Sequence, residues 1–418
     1  MIPRQQLPVH SPIRASGLAS AARSAFLKDT SSRERVAERL AETFDASEVV
    51  LTDSGTSALV LALRAIAGEG RTVALPAYGC VDLVAAAIHV RSNVRLYDID
   101  PRTLSPDLDS VSRVLERGVD AIVIAHLYGY PADVRAVASL ANEYGVPVVE
   151  DAAQGAGGTL LDRRLGSFGP LTVLSFGRGK GVTGGRGGAL LRTGAVGAMP
   201  RLALERPRAG WGDLSLATAQ WIFGRPTAYA LPTALPGLRL GEMVYRPAHQ
   251  PGALSIAAAE LVRDALEHAD RELANRRRNA ESLMTELETV DGVTPIQCVA
   301  GGASGYLRLA IRDARDRGRA PELGILRGYP RTLAEQAEMR EWLARDEVVP
   351  SGAKELSRTL LTLPVHKHVT GRDLERLIRW LRARAAGQGG STLPTSPGGN
   401  ASRHPWEAPA TPSSPEHA

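Results

Sequence analysis

The sequence contains almost no cysteine. Cys80 and Cys298 are the only two among its 418 residues, so neither a disulfide framework nor a cysteine-rich zinc cluster can form. A reducing compartment fits this composition, because disulfide-bonded chains belong to oxidising compartments. The N-terminal residues lead into Pro, Ser and Arg instead of an apolar core, and no signal peptide is predicted. We therefore expect a cytoplasmic protein.

Long hydrophobic runs are also missing. A membrane-spanning helix needs about 18 or more consecutive apolar residues. The nearest candidate, 214–238, is interrupted by one arginine and three prolines. This pattern excludes a transmembrane segment and favours a buried or lid-like insert, with contact to a membrane surface as the weaker alternative.

The sequence has no strong excess of one charge. Its 50 basic and 45 acidic residues give a net charge of +5 and are spread along the chain. A nucleic-acid-binding surface would need a basic stripe or cluster, so no nucleic-acid partner is expected. The densest basic run, Arg276-Arg277-Arg278, is interpreted as the solvated face of a helix.

The sequence does contain a regular alternation of short β-branched runs and longer amphipathic segments. Such alternation predicts βαβ units and a mostly parallel sheet in an α/β fold, with ligands bound at the carboxyl ends of the strands. Near-continuous apolar strands indicate a sheet that is covered on both faces. Helical patterns such as 56–66 and 132–144 lie between the strands. The seven predicted strands are 49–52, 72–75, 94–97, 121–124, 146–149, 172–175 and 188–191.

The composition divides the chain into two domains and a tail. Residues 192–250 are rich in Pro, Gly and Trp and are predicted to be irregular, whereas 254–288 have a long helical pattern. A strand at 306–311 and a helix at 371–386 complete a smaller α+β unit. From residue 387 onward Gly, Pro, Ser and Thr dominate, and such a segment cannot bury enough apolar surface to fold. The predicted division is a large domain at 1–250 with an N-terminal segment and the irregular insert, a small C-terminal domain at 251–386, and a disordered tail at 387–418.

The first candidate site is the turn at 53–59, which follows the first predicted strand. Gly55 and Thr56 begin a helix there. Small polar residues leave backbone N–H groups and the positive end of the helix dipole available to a phosphate. Ser or Thr before a helix is more often only an N-cap, so this turn alone does not identify a ligand.

Asp151 and Lys180 are the next candidates. Asp151 ends a strand, where it is either a helix cap or surface residue, or the partner of a protonated pyridine nitrogen. Lys180 lies in a glycine-rich turn after Ser175. A lysine there is ordinarily a solvated charge, but a partly desolvated lysine can form a Schiff base, and Ser175 could donate to a phosphate. The order of phosphate turn, aspartate, serine and lysine on successive strand ends indicates a site for pyridoxal 5'-phosphate (PLP).

The sequence also resembles the DegT-type PLP-dependent sugar aminotransferases, which have the aspartate aminotransferase fold (PLP fold type I). The resemblance implies a mostly parallel seven-stranded sheet in a large domain, followed by a smaller C-terminal α+β domain. It also implies homodimers in which each subunit contributes to the active site of the other. The matching stretches are 53–59, 125–133, 150–154, Ser175-Phe176 with Lys180, and 187–189, with weaker similarity at 254–288 and 362–366.

The resemblance implies roles for individual residues. Lys180 would be the Schiff-base lysine, and Asp151 would pair with the pyridinium nitrogen of PLP. Gln154 would hydrogen-bond the phenolic oxygen of the cofactor ring. The cofactor phosphate would be held by Ser175 and by the backbone amides of Gly55 and Thr56.

Three positions depart from the family pattern. Cys80 stands where the family often has an aromatic residue stacked on the cofactor ring, so either its thiol lies over the ring or Tyr78 contributes differently. Arg186 reverses the charge of the usual glutamate after the lysine. Only 244–246 corresponds to an Asn-Tyr-Arg segment that commonly reaches the phosphate of the partner. These departures concern the substrate more than the cofactor.

Two histidines have more than one interpretation. His126 has a counterpart in the family but is interpreted as a strand-end histidine whose hydrogen bonds are satisfied within the fold. His366 could line the cleft from the small domain, and a packing role is an equal alternative.

Together these features predict an aminotransferase with ping-pong kinetics, in polysaccharide or secondary-metabolite biosynthesis. Its acceptor would be a keto sugar, nucleotide-linked, and its donor an amino acid such as glutamate. Lys180 would carry a proton as general base and acid. Sugar dehydratases of the same family have histidine in place of this lysine, which argues against dehydration. Two alternatives stay open, namely a PLP enzyme that acts on a non-sugar ketone and a PLP-binding protein without turnover.

Overall fold

The computed structural model describes residues 4–194, 207–233, 244–344 and 350–383. Short strands alternate with helices in the first half, as the sequence predicts. The strands are β1 (Glu48–Thr52), β2 (Thr72–Pro76), β3 (Asn93–Tyr97), β4 (Ala121–Ala125), β5 (Val148–Asp151), β6 (Thr159–Leu160), β7 (Arg163–Arg164), β8 (Leu171–Ser175), β9 (Gly188–Arg192), β10 (Val293–Pro295), β11 (Gly302–Ala303), β12 (Leu309–Asp313), β13 (Leu326–Arg327) and β14 (Leu360–Leu363). The helices are α1 (Ala15–Leu27), α2 (Ser31–Phe44), α3 (Gly55–Ile66), α4 (Val81–His89), α5 (Leu108–Glu116), α6 (Val134–Glu143), α7 (Trp211–Phe223), α8 (Pro226–Thr233), α9 (Ile256–Glu267), α10 (Ala269–Leu287), α11 (Ser351–Thr359) and α12 (Gly371–Ala383).

All seven predicted strands of the first half belong to one sheet, each within two residues of its predicted bounds. The strand order is β1-β9-β8-β5-β4-β2-β3. Only β9 runs antiparallel to its neighbours, β1 and β8, and the remaining pairs are parallel. The predicted fold class, an α/β fold with a mostly parallel sheet, is confirmed.

Burial explains why these residues form strands. The central strand β4 is apolar throughout, and Ile122, Val123 and Ile124 are completely buried. β-Branched side chains suit a strand that is covered on both faces. The helices α3, α4, α5 and α6 contribute to the hydrophobic cluster that contains this strand. Replacing Ile122 by alanine would cost about 2–5 kcal/mol of stability, because the neighbouring side chains can only partly fill the space.

The second half of the chain forms a four-stranded antiparallel sheet with order β10-β12-β14-β13. Helices α10 and α12 share a separate hydrophobic cluster with this sheet. The two halves also join directly, because β11 pairs with β6 in a small three-stranded sheet. This architecture matches the expected smaller α+β unit. The exact domain bounds at 250 and 386 stay a prediction.

The structure differs from the sequence prediction in two segments. The helical pattern at 254–288 is divided into α9 and α10, which meet at His268 with φ −118° and ψ 4°. The described part of 192–250 is largely helical, because it contains α7 and α8, so the prediction of an irregular insert is wrong there. The predicted tail at 387–418 and the last residues of the predicted helix at 371–386 lie outside the described residues.

The basic run at 276–278 is not a solvated face, and this expectation is wrong. Arg276 is buried and donates to the backbone oxygens of Gly305 and Ala156, at 2.8 and 3.2 Å. Arg277 is half-buried and binds two further carbonyls in the same loops. Only Arg278 is exposed. Among the described residues, no helix is both long enough and apolar enough to cross a membrane.

Candidate active site

A cavity of about 1440 Å³ opens at the carboxyl edge of the large sheet. Asp151 is the last residue of β5, Ser175 is the last residue of β8, and Gly55 begins the helix after β1. Parallel strands end at the same edge of a sheet, which is where ligands bind in such folds. Seven residues that the sequence nominated for the cofactor site line this cavity: Gly55, Thr56, Cys80, Asp151, Gln154, Ser175 and Lys180.

The N-terminus of α3 forms one wall of this cavity. The side chain of Ser54 caps the helix by accepting from the backbone N–H of Ser57 at 3.0 Å. A Cβ atom on Gly55 would lie 2.7 Å from the Cβ of Ser175, so only glycine allows this serine to come so close. Backbone amides, a helix dipole and a hydroxyl therefore converge at one point. This combination of donors suits a phosphate group.

Asp151 lines the cavity, and its carboxylate forms no ion pair with another residue in the described part of the chain. One of its oxygens accepts from the backbone N–H of Ala153 at 3.0 Å. Desolvation by the surrounding protein raises the pKa of Asp151, although the charge of Lys180 acts in the opposite direction. A carboxylate in this environment is stabilised when a cation binds beside it. A protonated ring nitrogen would satisfy that requirement.

Lys180 lies in the loop between β8 and β9, and the N-terminal segment of the chain holds this loop in place. Gly179 has φ of +74°, a conformation that favours glycine. Its backbone N–H donates to the hydroxyl of Ser11 at 3.1 Å. A Cβ on Gly179 would lie 2.8 Å from Val9. Lys180 is thus presented to the cavity by a tightly packed turn.

The amide of Gln154 is bound at both ends. Its oxygen accepts from the backbone N–H of Tyr128 at 3.2 Å, and its nitrogen donates to the hydroxyl of Tyr329 at 2.7 Å. Neither tyrosine was nominated from the sequence. Tyr329 follows β13 in the other sheet, so no local pattern connects it with a glutamine 175 positions earlier.

The structure separates the two residues that were proposed for the ring-stacking position. Cys80 lines the cavity, and its thiol lies 3.4 Å from a carboxylate oxygen of Asp82. Burial raises the pKa of this thiol, so it is neutral at physiological pH. Tyr78 is completely buried, does not line the cavity, and accepts from the backbone N–H of Tyr329 at 2.8 Å. Of the two, Cys80 is therefore the residue that can contact a ligand.

Several further charged groups line the cavity. Asp53 and His249 form a pair at 2.7 Å beside the N-terminus of α3. Arg186 faces Asp213 at 3.8 Å, too long for a strong ion pair. These contacts were missed because their partners lie far apart in the sequence. The arginines of the cavity are Arg64, Arg178, Arg186, Arg208 and Arg246, and guanidinium groups are well suited to bind phosphate or carboxylate.

His126 and His366 both lie outside the cavity lining. The Nδ1 atom of His126 accepts from the backbone N–H of Ala132 at 3.0 Å, so its Nε2 carries the proton and donates to Glu150 at 2.9 Å. His126 is thus a structural histidine, as interpreted. The Nε2 atom of His366 is 3.0 Å from the backbone oxygen of Leu7. Of its two alternative roles, the structure favours packing.

A family model with the description DegT/DnrJ/EryC1/StrS aminotransferase family matches residues 14–195. An L-glutamine:2-deoxy-scyllo-inosose aminotransferase of Streptoalloteichus tenebrarius is 31% identical over 260 residues, which cover 62% of this chain and 57% of that protein. A dTDP-4-dehydro-2,3,6-trideoxy-D-glucose 4-aminotransferase of Saccharopolyspora spinosa is 35% identical over 148 residues, which cover 34% of this chain and 38% of that protein. The chain therefore spans less than two thirds of the length of these relatives.

Solved structures show the same fold over most of the chain. The aminotransferase TlmJ from Streptoalloteichus hindustanus has a TM-score of 0.69 at 24% identity and covers 91% of this chain and 99% of that one. Spr1654 of Streptococcus pneumoniae, in its PMP form, has a TM-score of 0.71 at 17% identity and covers 91% of this chain and 99% of that one. At these identities the similarity concerns the fold.

Proposed function

We propose that this chain is a PLP-dependent aminotransferase of the DegT/DnrJ/EryC1/StrS aminotransferase family, whose model matches residues 14–195. In this proposal it transfers an amino group from an amino acid to a keto sugar. The observation that carries the proposal is the convergence of Lys180, Asp151, Gln154 and Ser175 on one cavity at the N-terminus of α3. Each of these groups suits a different part of the same cofactor.

The residues of the cavity fit PLP. The N-terminus of α3, with Gly55, Thr56 and Ser175, would hold its phosphate. Asp151 would pair with the protonated ring nitrogen, because a desolvated carboxylate is stabilised by a nearby cation. The amide of Gln154 would donate to the phenolic oxygen. When bound, PLP supplies an electron sink that stabilises negative charge on a substrate carbon.

Lys180 is the residue that would move the proton. It lines the same cavity as Asp151 and Cys80, and its positive charge acts to lower the pKa of both groups. As a free amine, its Nζ atom would take a proton from the donor carbon in the first half-reaction, and as an ammonium it would give a proton to the acceptor carbon in the second. The packed turn at Gly179 fixes the backbone from which the Lys180 side chain extends. Because the keto product of the donor would leave before the acceptor binds, the kinetics would be ping-pong.

The proposed acceptor is a keto sugar linked to a nucleotide. The five arginines of the cavity favour a diphosphate-bearing substrate. Relatives named for dTDP-linked and UDP-linked substrates support this choice, whereas several other relatives are named for 2-deoxy-scyllo-inosose. If the acceptor is nucleotide-linked, dTDP or UDP alone should inhibit the second half-reaction competitively.

We further propose that the protein is a homodimer that works in the cytoplasm. Homodimers with shared active sites are typical of the family that the sequence resembles, and the two free thiols suit a reducing compartment. Light scattering of the purified protein would measure the dimer mass directly.

The test of the enzymatic proposal uses the absorbance of the purified protein with PLP. We expect a band near ~420 nm that is bleached by glutamate or by glutamine. Both amino acids should be tested as donors, because several relatives are named for L-glutamine. Lys180→Ala should abolish this band and lower transamination by at least ~10³-fold. Lys354→Ala, an exposed lysine of α11, is the matched control.

Two results would contradict the proposal. A covalent band that persists in Lys180→Ala would remove the lysine from its assigned role. A wild-type band that neither amino acid bleaches would favour a PLP-binding protein without turnover.

A further inference from the structure

The side chain of Gln154 has an orientation that hydrogen-bond chemistry determines. The backbone N–H of Tyr128 can only donate, so the Gln154 atom at 3.2 Å from it must be the amide oxygen. The amide nitrogen then faces the hydroxyl of Tyr329, at 2.7 Å. The tyrosine hydroxyl accepts this bond. Without the Tyr329 hydroxyl, the oxygen of the Gln154 amide would still be held by Tyr128, but its nitrogen would lose the acceptor that orients it.

Tyr329 is itself held rigidly. Its ring stacks on Tyr128 with centroids 5.3 Å apart, and it meets Tyr78 edge-on at 5.2 Å. Its backbone N–H donates to the hydroxyl of Tyr78 at 2.8 Å. The preceding Gly328 lies so close to the hydroxyl of Tyr78 that a Cβ would collide with it. The Tyr329 hydroxyl therefore has little freedom to move away from Gln154.

Tyr329 does not line the cavity, although Gln154 does. It follows β13 of the small sheet, while Gln154 follows β5 of the large sheet. The contact thus brings a group from the second half of the chain directly behind a wall residue of the candidate site. A residue in this position can act on a ligand only through the residue in front of it.

We propose that Tyr329 is a positioning residue that orients the Gln154 amide so that its second N–H points to the cofactor. This inference rests on the proposed function, because it requires PLP in the cavity. An amide nitrogen carries two hydrogens, and the one not bound to Tyr329 is available to the phenolic oxygen of the ring. A donor at an oxygen anion stabilises the anion and lowers its affinity for a proton. Tyr329 therefore tunes the protonation of the bound cofactor through Gln154.

The test is the pH dependence of the visible absorbance of the PLP-loaded protein. In Tyr329→Phe the ring packing remains but the acceptor for the Gln154 nitrogen is lost. The midpoint of the titration should move to higher pH by about half a unit to one unit, because the phenolic oxygen loses part of its donor. Tyr306→Phe is the matched control. The Tyr306 hydroxyl contacts the sulfur of Met284 at 3.7 Å and binds neither Gln154 nor Tyr329, so this variant should titrate like the wild type.

A double-mutant cycle tests whether Tyr329 acts through Gln154. In Gln154→Leu the midpoint should already be shifted, and adding Tyr329→Phe should shift it no further. An additional shift of similar size in the double variant would overturn the inference, as would a Tyr329→Phe titration identical to that of the wild type. Thermal unfolding of each variant before titration would show that the fold is retained.

The cycle also separates this inference from the proposed function. If the wild-type protein forms no visible band with PLP, the proposed function fails and the inference falls with it. If the wild type forms the band and titrates but Tyr329→Phe is unchanged, only the inference fails.

Discussion

Asp151 occupies a position where two requirements oppose each other. The fold encloses its carboxylate at the end of β5, and this desolvation raises its pKa, more than the neighbouring charge of Lys180 lowers it. At neutral pH and without a bound cation, this carboxylate therefore lowers the stability of the fold. A bound cation would remove this destabilisation, and the free energy gained would contribute to the binding affinity. Asp151 therefore weakens the fold when no ligand is bound and strengthens ligand binding.

This opposition leads to a prediction for Asp151→Asn. At neutral pH without PLP, the variant should have a higher thermal midpoint than the wild type, because the neutral amide removes the enclosed charge. In the wild type, Asp151 does not destabilise the fold at a pH below its pKa in the unfolded chain. The destabilisation grows as the pH rises, and it is complete above the raised pKa of Asp151 in the folded protein. The difference between the two proteins should therefore disappear in acid. PLP affinity should fall about 10- to 100-fold, as expected for a lost charge-assisted bond.

Thermal unfolding with and without PLP, at several pH values, measures both effects. A variant that is less stable than the wild type at neutral pH without PLP would show that the carboxylate stabilises the empty site.

At this scale the site was partly predictable. Asp151, Ser175 and Gly55 could be placed together from the sequence because consecutive strand ends share one edge of a parallel sheet. Their functional roles stay predictions. Tyr329 could not be found in this way, because it belongs to the other sheet and reaches Gln154 through a contact that only the folded chain creates.

At the scale of elements, the helix α10 shows how a surface pattern can be misleading. Three consecutive arginines indicate a solvated face, yet Arg276 and Arg277 bind four backbone carbonyls from the loops at 156–157 and 304–305. Burial lowers the pKa of Arg276 to about 10, so it remains charged at neutral pH. The helix thereby joins the loop that follows Gln154 with the loop that precedes β12.

Arg276→Met should destabilise the protein by about 2–4 kcal/mol. The substitution fills a similar volume but leaves two buried carbonyls without their donor. Arg278→Met, on the exposed side of the same helix, is the control and should change stability by less than about 0.5 kcal/mol. Urea unfolding measures both. Equal effects of the two substitutions would restore the surface interpretation of Arg276.

The elements differ in how far the sequence determines them. The seven strands were predictable because short apolar, β-branched runs favour strands in a sheet that is covered on both faces. The division between α9 and α10 was not, since helical periodicity continues across His268. Arg14 from the N-terminal segment binds both Asp264 and His268 at this point. A contact from 250 residues away thus accompanies the break in the helical pattern.

At the scale of the whole molecule, the N-terminal segment links the two halves of the chain. Arg4 pairs with Asp373 at 2.7 Å, Leu7 accepts from His366, and Ser11 binds the turn that carries Lys180. His10 lies in the middle of this segment. Its ring packs against His368 with centroids 4.5 Å apart.

The histidines around this segment should make the fold sensitive to acid. Desolvation, together with neighbouring cationic groups, lowers the pKa of His10 to about 2 and that of His366 to about 4. Both are harder to protonate in the folded than in the unfolded chain, so stability is lost as the pH falls below about 6.5. Each histidine can contribute up to about 1.4 kcal/mol per pH unit in this range.

His10→Leu tests this dependence. His10 packs against the rings of His366 and His368, and leucine has a similar volume, so the substitution removes a titrating group while the space stays filled. The free energy of unfolding should fall less steeply between pH 6.5 and 4 than in the wild type. Chemical unfolding at a series of pH values measures the slope. An unchanged slope would assign the acid sensitivity to other residues.

The strand order of the large sheet has a consequence for synthesis on the ribosome. Among the described strands of that sheet, β1 pairs only with β9, and β9 leaves the ribosome after the other strands of the sheet have been made. At about 5–20 residues per second, β1 and the helix after it wait on the order of ten seconds for their partner. Until then the edge of β1 is exposed, and exposed edges attract other strands. The N-terminus of α3, which is proposed to hold the phosphate, follows β1. It is therefore among the last parts of the large domain to reach its final packing as the nascent chain folds.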